Sequence, residues 1–139
     1  MQSKIRPIHV LLVEDDEVDV MNVQRSFRKN KVKHQLHIAC DGIDALEQLR
    51  GDKVPLPQVI LLDINMPRMG GLEFLQELRN DPQLNSIMVF IMSTSANPVD
   101  KESAFKYNVA GYIVKPLSGE KFNQALSRLV AFWDICEFP

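Results

Sequence analysis

Glu14, Asp15 and Asp16 follow a short apolar run, and a lone acid, Asp63, follows another. Ser93 and Thr94 follow a third such run and Lys115 a fourth. If these runs are neighbouring strands, about 4.8 Å apart, their ends bring the side chains into one cleft. Carboxylates that close repel one another wherever water is partly excluded, and a divalent cation removes that penalty. Hard oxygen donors in small number suit Mg²⁺, which takes carboxylates, waters and a phosphate oxygen. An ammonium from Lys115 would meet both the acids and any transferred phosphoryl group. Each residue also has a plainer use. Asp16 can cap a helix beginning near Glu17 or face solvent, Asp63 can bond its own turn, Ser93 can be a surface hydroxyl and Lys115 can reach solvent. Glu14 and Asp15 are read together as metal ligands; for Asp63 both readings stay open.

The elements that must position these groups alternate along the chain. Ile8–Val13 is an apolar, β-branched run suited to a strand buried on both faces. Glu17–Asn30 has helical spacing, with Val20, Val23 and Phe27 on one side. His34–Ala39 reads as a strand, and Asp41 caps a helix through Ile43, Leu46 and Leu49 that Gly51 stops. After a loop at Val54–Pro57 come a strand at Val59–Leu62, the turn MPRMGG and a helix at Leu72–Asn80. A fourth strand spans Ile87–Met92, and Asn97-Pro98 opens a helix to about Asn108. A fifth spans Ala110–Val114, and a last helix runs from Ser118 to about Ile135. This alternation predicts an α/β fold, a doubly wound sheet of five parallel strands with five helices on its two faces. In such sheets ligands bind beyond the carboxyl ends of the strands.

The 139 residues, 45% apolar and 24% charged, have the composition of one globular domain. A net charge of −2 gives nucleic-acid binding no electrostatic support. No apolar run is long enough to span a membrane, and the opening MQSKIRPIHVLLVEDD lacks a secretory pattern. Cys40 and Cys136 are isolated thiols, read as idle in a reducing cytoplasm.

VEDD at 13–16, LLDINMPRMGG at 61–71, MSTS at 92–95 and GYIVKP at 111–116 occur in order, each at a strand end. With these motifs the chain resembles the receiver domains of two-component response regulators, of the chemotaxis-receiver type, over residues 8 to about 132. The resemblance implies a flavodoxin-like strand order, 2-1-3-4-5, and a single receiver domain over 1–139. It implies that Asp63 accepts a phosphoryl group from a sensor histidine kinase. Glu14, Asp15, Asp63 and the backbone carbonyl of Asn65 would hold Mg²⁺ or Mn²⁺. Ser93 and Tyr112 would be switch residues, Lys115 the phosphate-binding lysine and Pro116 a cis proline. Glu14 stands where many receivers have Asp, and Ser93 where Thr is commoner. A change in the face built from the fourth helix, fifth strand and fifth helix would carry the signal to other proteins.

The end of the chain, LVAFWDICEFP, carries Phe132, Trp133, Ile135 and Phe138, more apolar surface than one helix needs. It is read as an interface or as a segment that folds back. It is similar to the tails of single-domain receivers serving phytochromes, which implies a homodimer and a light-sensing kinase. Other readings are a phosphatase of the haloacid dehalogenase type, a flavin carrier, or a degenerate receiver serving only as an interaction module. The phosphatase needs a second Asp where Asn65 stands, and a flavin phosphate would be repelled by Glu14, Asp15 and Asp16.

Overall fold

The computed structural model describes residues 7–51 and 55–139. The expectations for the opening residues 1–6 and for Val54 lie outside the described residues. The elements in order are β1 (His9–Val13), α1 (Glu17–Lys29), β2 (Gln35–Ala39), α2 (Gly42–Arg50), β3 (Val59–Asp63), α3 (Gly71–Asn80), β4 (Met88–Ser93), α4 (Pro98–Phe105), β5 (Gly111–Val114) and α5 (Gly119–Ile135). The strands form one parallel sheet in the order β2-β1-β3-β4-β5.

Because each parallel connection crosses over the sheet, both faces are covered. Val10, Leu12, Leu61 and Phe90 face α1 and α5, meeting Val23, Phe27, Phe122, Leu126 and Trp133. Leu11, Val13, Leu62 and Ile91 face the other way, against Leu46 and Leu49 of α2 and Phe74, Leu75 and Leu78 of α3. Central β3 is buried at every position, which explains its unbroken apolar run, whereas edge strand β5 is only half-buried.

Local chemistry sets most helix starts. The Asp16 side chain accepts from the Val18 and Asp19 N–H groups, Asp41 from Asp44 and Asn97 from Val99. Most expected boundaries shift by a single residue, and two of the differences have a visible cause. His34 stands outside β2, its ring held between the Ile8 N–H and Asp134. α4 stops at Phe105, because the chain tightens into turns from Tyr107 N–H to Ala104 and from Asn108 N–H to Phe105. Asn108 then takes a left-handed φ of 58°, which ends helical continuation.

The register aligns the carboxyl ends of the strands: Val13 pairs with Leu62, Asp63 with Met92 and Ser93 with Val114. Gly71 lets α3 begin close beneath the end of β3, since a Cβ there would lie 2.6 Å from the Asp63 carbonyl oxygen. Among the described residues, no helix is long and apolar enough to cross a membrane.

Candidate acidic site at the strand ends

Glu14 continues the β1 ladder, its N–H donating to the Ala39 carbonyl at 3.0 Å, and so its side chain is fixed at the sheet's end. The carboxyl group is almost sealed from water and accepts the Asp16 N–H at 3.3 Å. Asp16 is spent on capping α1, and Asp15 is exposed. Asp63, at the end of β3, is 4% exposed. One oxygen from each of Glu14, Asp15 and Asp63 falls within 4.8 Å of the others, a grouping able to hold a metal ion.

The electrostatics follow from crowding and burial. Burial, reinforced by the charge of Asp63, pushes the Glu14 carboxyl up to about 7 despite the opposing pull of Lys115. Asp63 is also raised, by burial first, against Lys115, a bond to Glu14 and the backbone N–H of Asn65. Lys115 extends β5, its N–H donating to the Ser93 carbonyl at 2.8 Å, and this turns its ammonium into the site. Its side chain is 8% exposed, so it does not reach out to solvent. The ammonium donates to Glu14 Oε1 at 2.6 Å and to Asp19 Oδ2 at 2.6 Å, with Asp63 Oδ1 at 3.6 Å. Burial alone would lower the Lys115 pKa; its bonds to Asp19 and Glu14 more than offset this and hold it above the usual range.

Ser93 is fully buried at the end of β4, and its Oγ accepts the Ser95 N–H at 3.1 Å. The Tyr112 hydroxyl donates to the Ser95 carbonyl at 2.7 Å, so Ser95 joins Ser93 to Tyr112. The Lys115–Pro116 peptide bond is cis.

The tail aromatics divide. Trp133 is 2% exposed and packs on Phe90 and His34, and Phe138 lies against the same core. These two interface candidates therefore seal the chain's own core, because α5 carries Trp133 over the start of the sheet and the segment after it brings Phe138 to the same cluster. Phe132, 49% exposed, and Ile135, 80% exposed, face outward. Sequence reasoning passed over Asp19, whose one signal was an acid in the first turn of α1. It also passed over the paired bonds from Arg68 to Asp41, 2.6 and 3.0 Å, which tie the loop after β3 to the start of α2.

Residues 10–127 match the response regulator receiver domain family. The chain belongs to this family. As a receiver domain it is a signalling domain of two-component systems, and neither the phosphatase nor the flavin-carrier reading is favoured. It is 31% identical over 130 residues to the probable methanogenesis regulatory protein FilR2 of Methanothrix harundinacea (strain 6Ac), covering 91% of this chain and 84% of that one. It is 31% identical over 131 residues to the response regulator Rcp1 of Synechocystis sp. (strain ATCC 27184 / PCC 6803 / Kazusa), covering 91% and 89%. The crystal structure of Mn²⁺-bound Rcp1 superposes with a TM-score of 0.84 at 31% identity, over 96% of this receiver and 99% of that chain. That of the phosphorylated cyanobacterial phytochrome response regulator RcpA does so at 0.86 and 29%, over 96% and 99%.

Proposed function

We propose that Asp63 is the phosphoryl acceptor of this receiver, loaded in the cytoplasm from a phosphohistidine on a sensor histidine kinase. The observation that carries this reading is a buried Asp63 carboxylate grouped with Glu14 and Asp15 and standing 3.6 Å from the Lys115 ammonium. In the transfer the donor's P–N bond breaks as a P–O bond forms to an Asp63 oxygen, and the freed imidazole takes up a proton. Charge in the loose transition state lies on the equatorial oxygens, so the protein contributes position and countercharge. Lys115 meets one such oxygen and the Ser93 hydroxyl donates to another. The product is an acyl phosphate, which water hydrolyses.

Glu14, Asp15, Asp63 and the Asn65 carbonyl would hold Mg²⁺ or Mn²⁺. The all-oxygen donor set fits such hard cations, and burial raises the pKa of Glu14 and Asp63, a cost that an added positive charge would offset. A bound divalent cation supplies charge that keeps the carboxylates ionised and offsets the phosphoryl oxygens. The Mn²⁺-bound structure of Rcp1 supports this choice.

The bonds from Ser93 through Ser95 to Tyr112 give the site a route to the α4-β5-α5 face. A Ser93 hydroxyl drawn toward phosphoryl oxygen alters its bond to the Ser95 N–H, and Tyr112 is tied to the same residue. Phe132 and Ile135 support a homodimer, Phe132 bordering an apolar hollow of about 510 Å³ with Met88, Phe90 and Leu129. The likeness to RcpA supports a phytochrome-type kinase as the donor.

Intact mass measured after acetyl phosphate and Mg²⁺ tests the acceptor. One phosphoryl group should appear on the wild type and none on Asp63→Asn; labelling that survives in this variant would refute the assignment. Sizing of both forms tests the dimer.

A further inference from the structure

Asp19 occupies the third helical position of α1, after the N-cap Asp16. An acid there commonly reaches back to the N-cap's own backbone N–H. In this chain that N–H already donates to Glu14 Oε2 at 3.3 Å, and Asp19 turns elsewhere. Its Oδ2 accepts from Lys115 Nζ at 2.6 Å, 96 residues away, with the Asp19 side chain only 16% exposed.

An ammonium has three N–H donors. Glu14 and Asp19 engage two of them in short bonds, which leaves one for the direction of Asp63. The two acids are not equivalent. Glu14 belongs to the group of close carboxylates with Asp15 and Asp63, whereas Asp19 lies outside it among the described residues. A cation held by that group would compete with Lys115 for Glu14 and would repel the ammonium. Lysine has a flexible four-carbon stem and a strongly hydrated charge, so an ammonium without another anchor moves to water.

We propose that Asp19 is a positioning residue for Lys115, a carboxylate outside the metal-holding group, which keeps the ammonium at the pocket once Glu14 has turned to the metal. This rests on the metal site proposed above. Asp19 touches neither the metal nor the phosphoryl group; it acts through Lys115. The two-anchor arrangement also lowers the cost of metal binding, because Lys115 gives up Glu14 without losing all of its countercharge.

A double-mutant cycle on the full chain tests this, with Mn²⁺ affinity measured by calorimetry for wild type, Asp19→Asn, Lys115→Met and the pair. Asp19→Asn should weaken Mn²⁺ binding roughly tenfold, since Lys115 then clings to Glu14, and cost about twofold or less when Lys115 is absent. Equal losses in both backgrounds would mean that Asp19 acts only as a distant charge, and the proposal would be wrong. A second readout is the NMR signal of the Lys115 ammonium with saturating Mg²⁺. It should be protected from exchange in wild type and in Asp19→Glu, and lost to fast exchange in Asp19→Asn. Equal protection in Asp19→Asn would overturn the role while leaving the metal site intact. Absence of Mn²⁺ binding by the wild type would instead overturn the metal-site reading and this inference with it.

Discussion

Glu14 Oε1 and Lys115 Nζ lie 2.6 Å apart across 101 residues of chain, with the two side chains 0% and 8% exposed. Even with this partner, burial and the neighbouring Asp63 raise the Glu14 carboxyl from 4.5 to about 7. The folded protein therefore keeps a proton that the unfolded chain releases, and this favours folding at low pH. Glu14's contribution is complete below about pH 4.5 and is lost as pH rises to about 7. In EDTA, unfolding free energy from urea titrations should fall by on the order of 2 kcal/mol across that window. Glu14→Gln should remove much of the slope, leaving the part due to Asp63, which is shifted in the same direction. A wild-type profile flat between these pH values would contradict the crowding argument. Saturating Mg²⁺ should oppose the trend, because it binds the ionised carboxylates and stabilises the folded state by mass action.

Asp63→Asn should stabilise the metal-free protein by about 1 kcal/mol at pH 7, since it removes one of the site's two buried acids without changing the side chain's size. The asparagine oxygen can still accept the Asn65 N–H that now faces the carboxylate. Thermal melting in EDTA checks this, and a lower midpoint for the variant would argue that Lys115 already compensates the acids.

At the far end of the sheet, Trp133 and Phe132 should behave oppositely. Trp133→Ala opens a cavity beside Phe90 and should cost about 3–5 kcal/mol in unfolding free energy. Phe132→Asp should leave the stability of the fold within about 0.5 kcal/mol and, on the proposed dimer, shift sedimentation toward monomer. A stable Trp133→Ala variant would mean that the end of α5 does not pack as described.

His34 links three segments. Its Nδ1 accepts the Ile8 N–H at 3.0 Å and its Nε2 lies 2.8 Å from Asp134 Oδ1. An acceptor at Nδ1 places the proton of the neutral ring on Nε2, donated to Asp134. Nitrogen NMR should report that tautomer. His34→Phe leaves the Ile8 donor unmet and should destabilise by about 1–3 kcal/mol, while Asp134→Asn, which can still accept from Nε2, should cost less. The opposite tautomer would show that the Ile8 bond does not form.

The apolar rhythm of the strands and helices, the caps at Asp16, Asp41 and Asn97, and the acids, hydroxyl and lysine at the strand ends were all legible in the sequence. Each depends on neighbours within a few residues or on the rule that parallel sheets expose their sites at one end. The C-terminal end of α4 and the start of β2 were less legible, because a left-handed Asn108 and a ring drawn to Asp134 override local preference.

Which residues would meet across the cleft was a different matter. The sequence alone determined that Glu14, Asp15, Asp63, Ser93 and Lys115 stand at strand ends, since hydrophobic periodicity is local information. Only the tertiary structure decided that Lys115 bonds Glu14 and Asp19 more closely than Asp63, and that Trp133 turns in while Phe132 turns out. These choices depend on how α1 and α5 dock on one face of the sheet, and hence on the packing of side chains far apart in sequence.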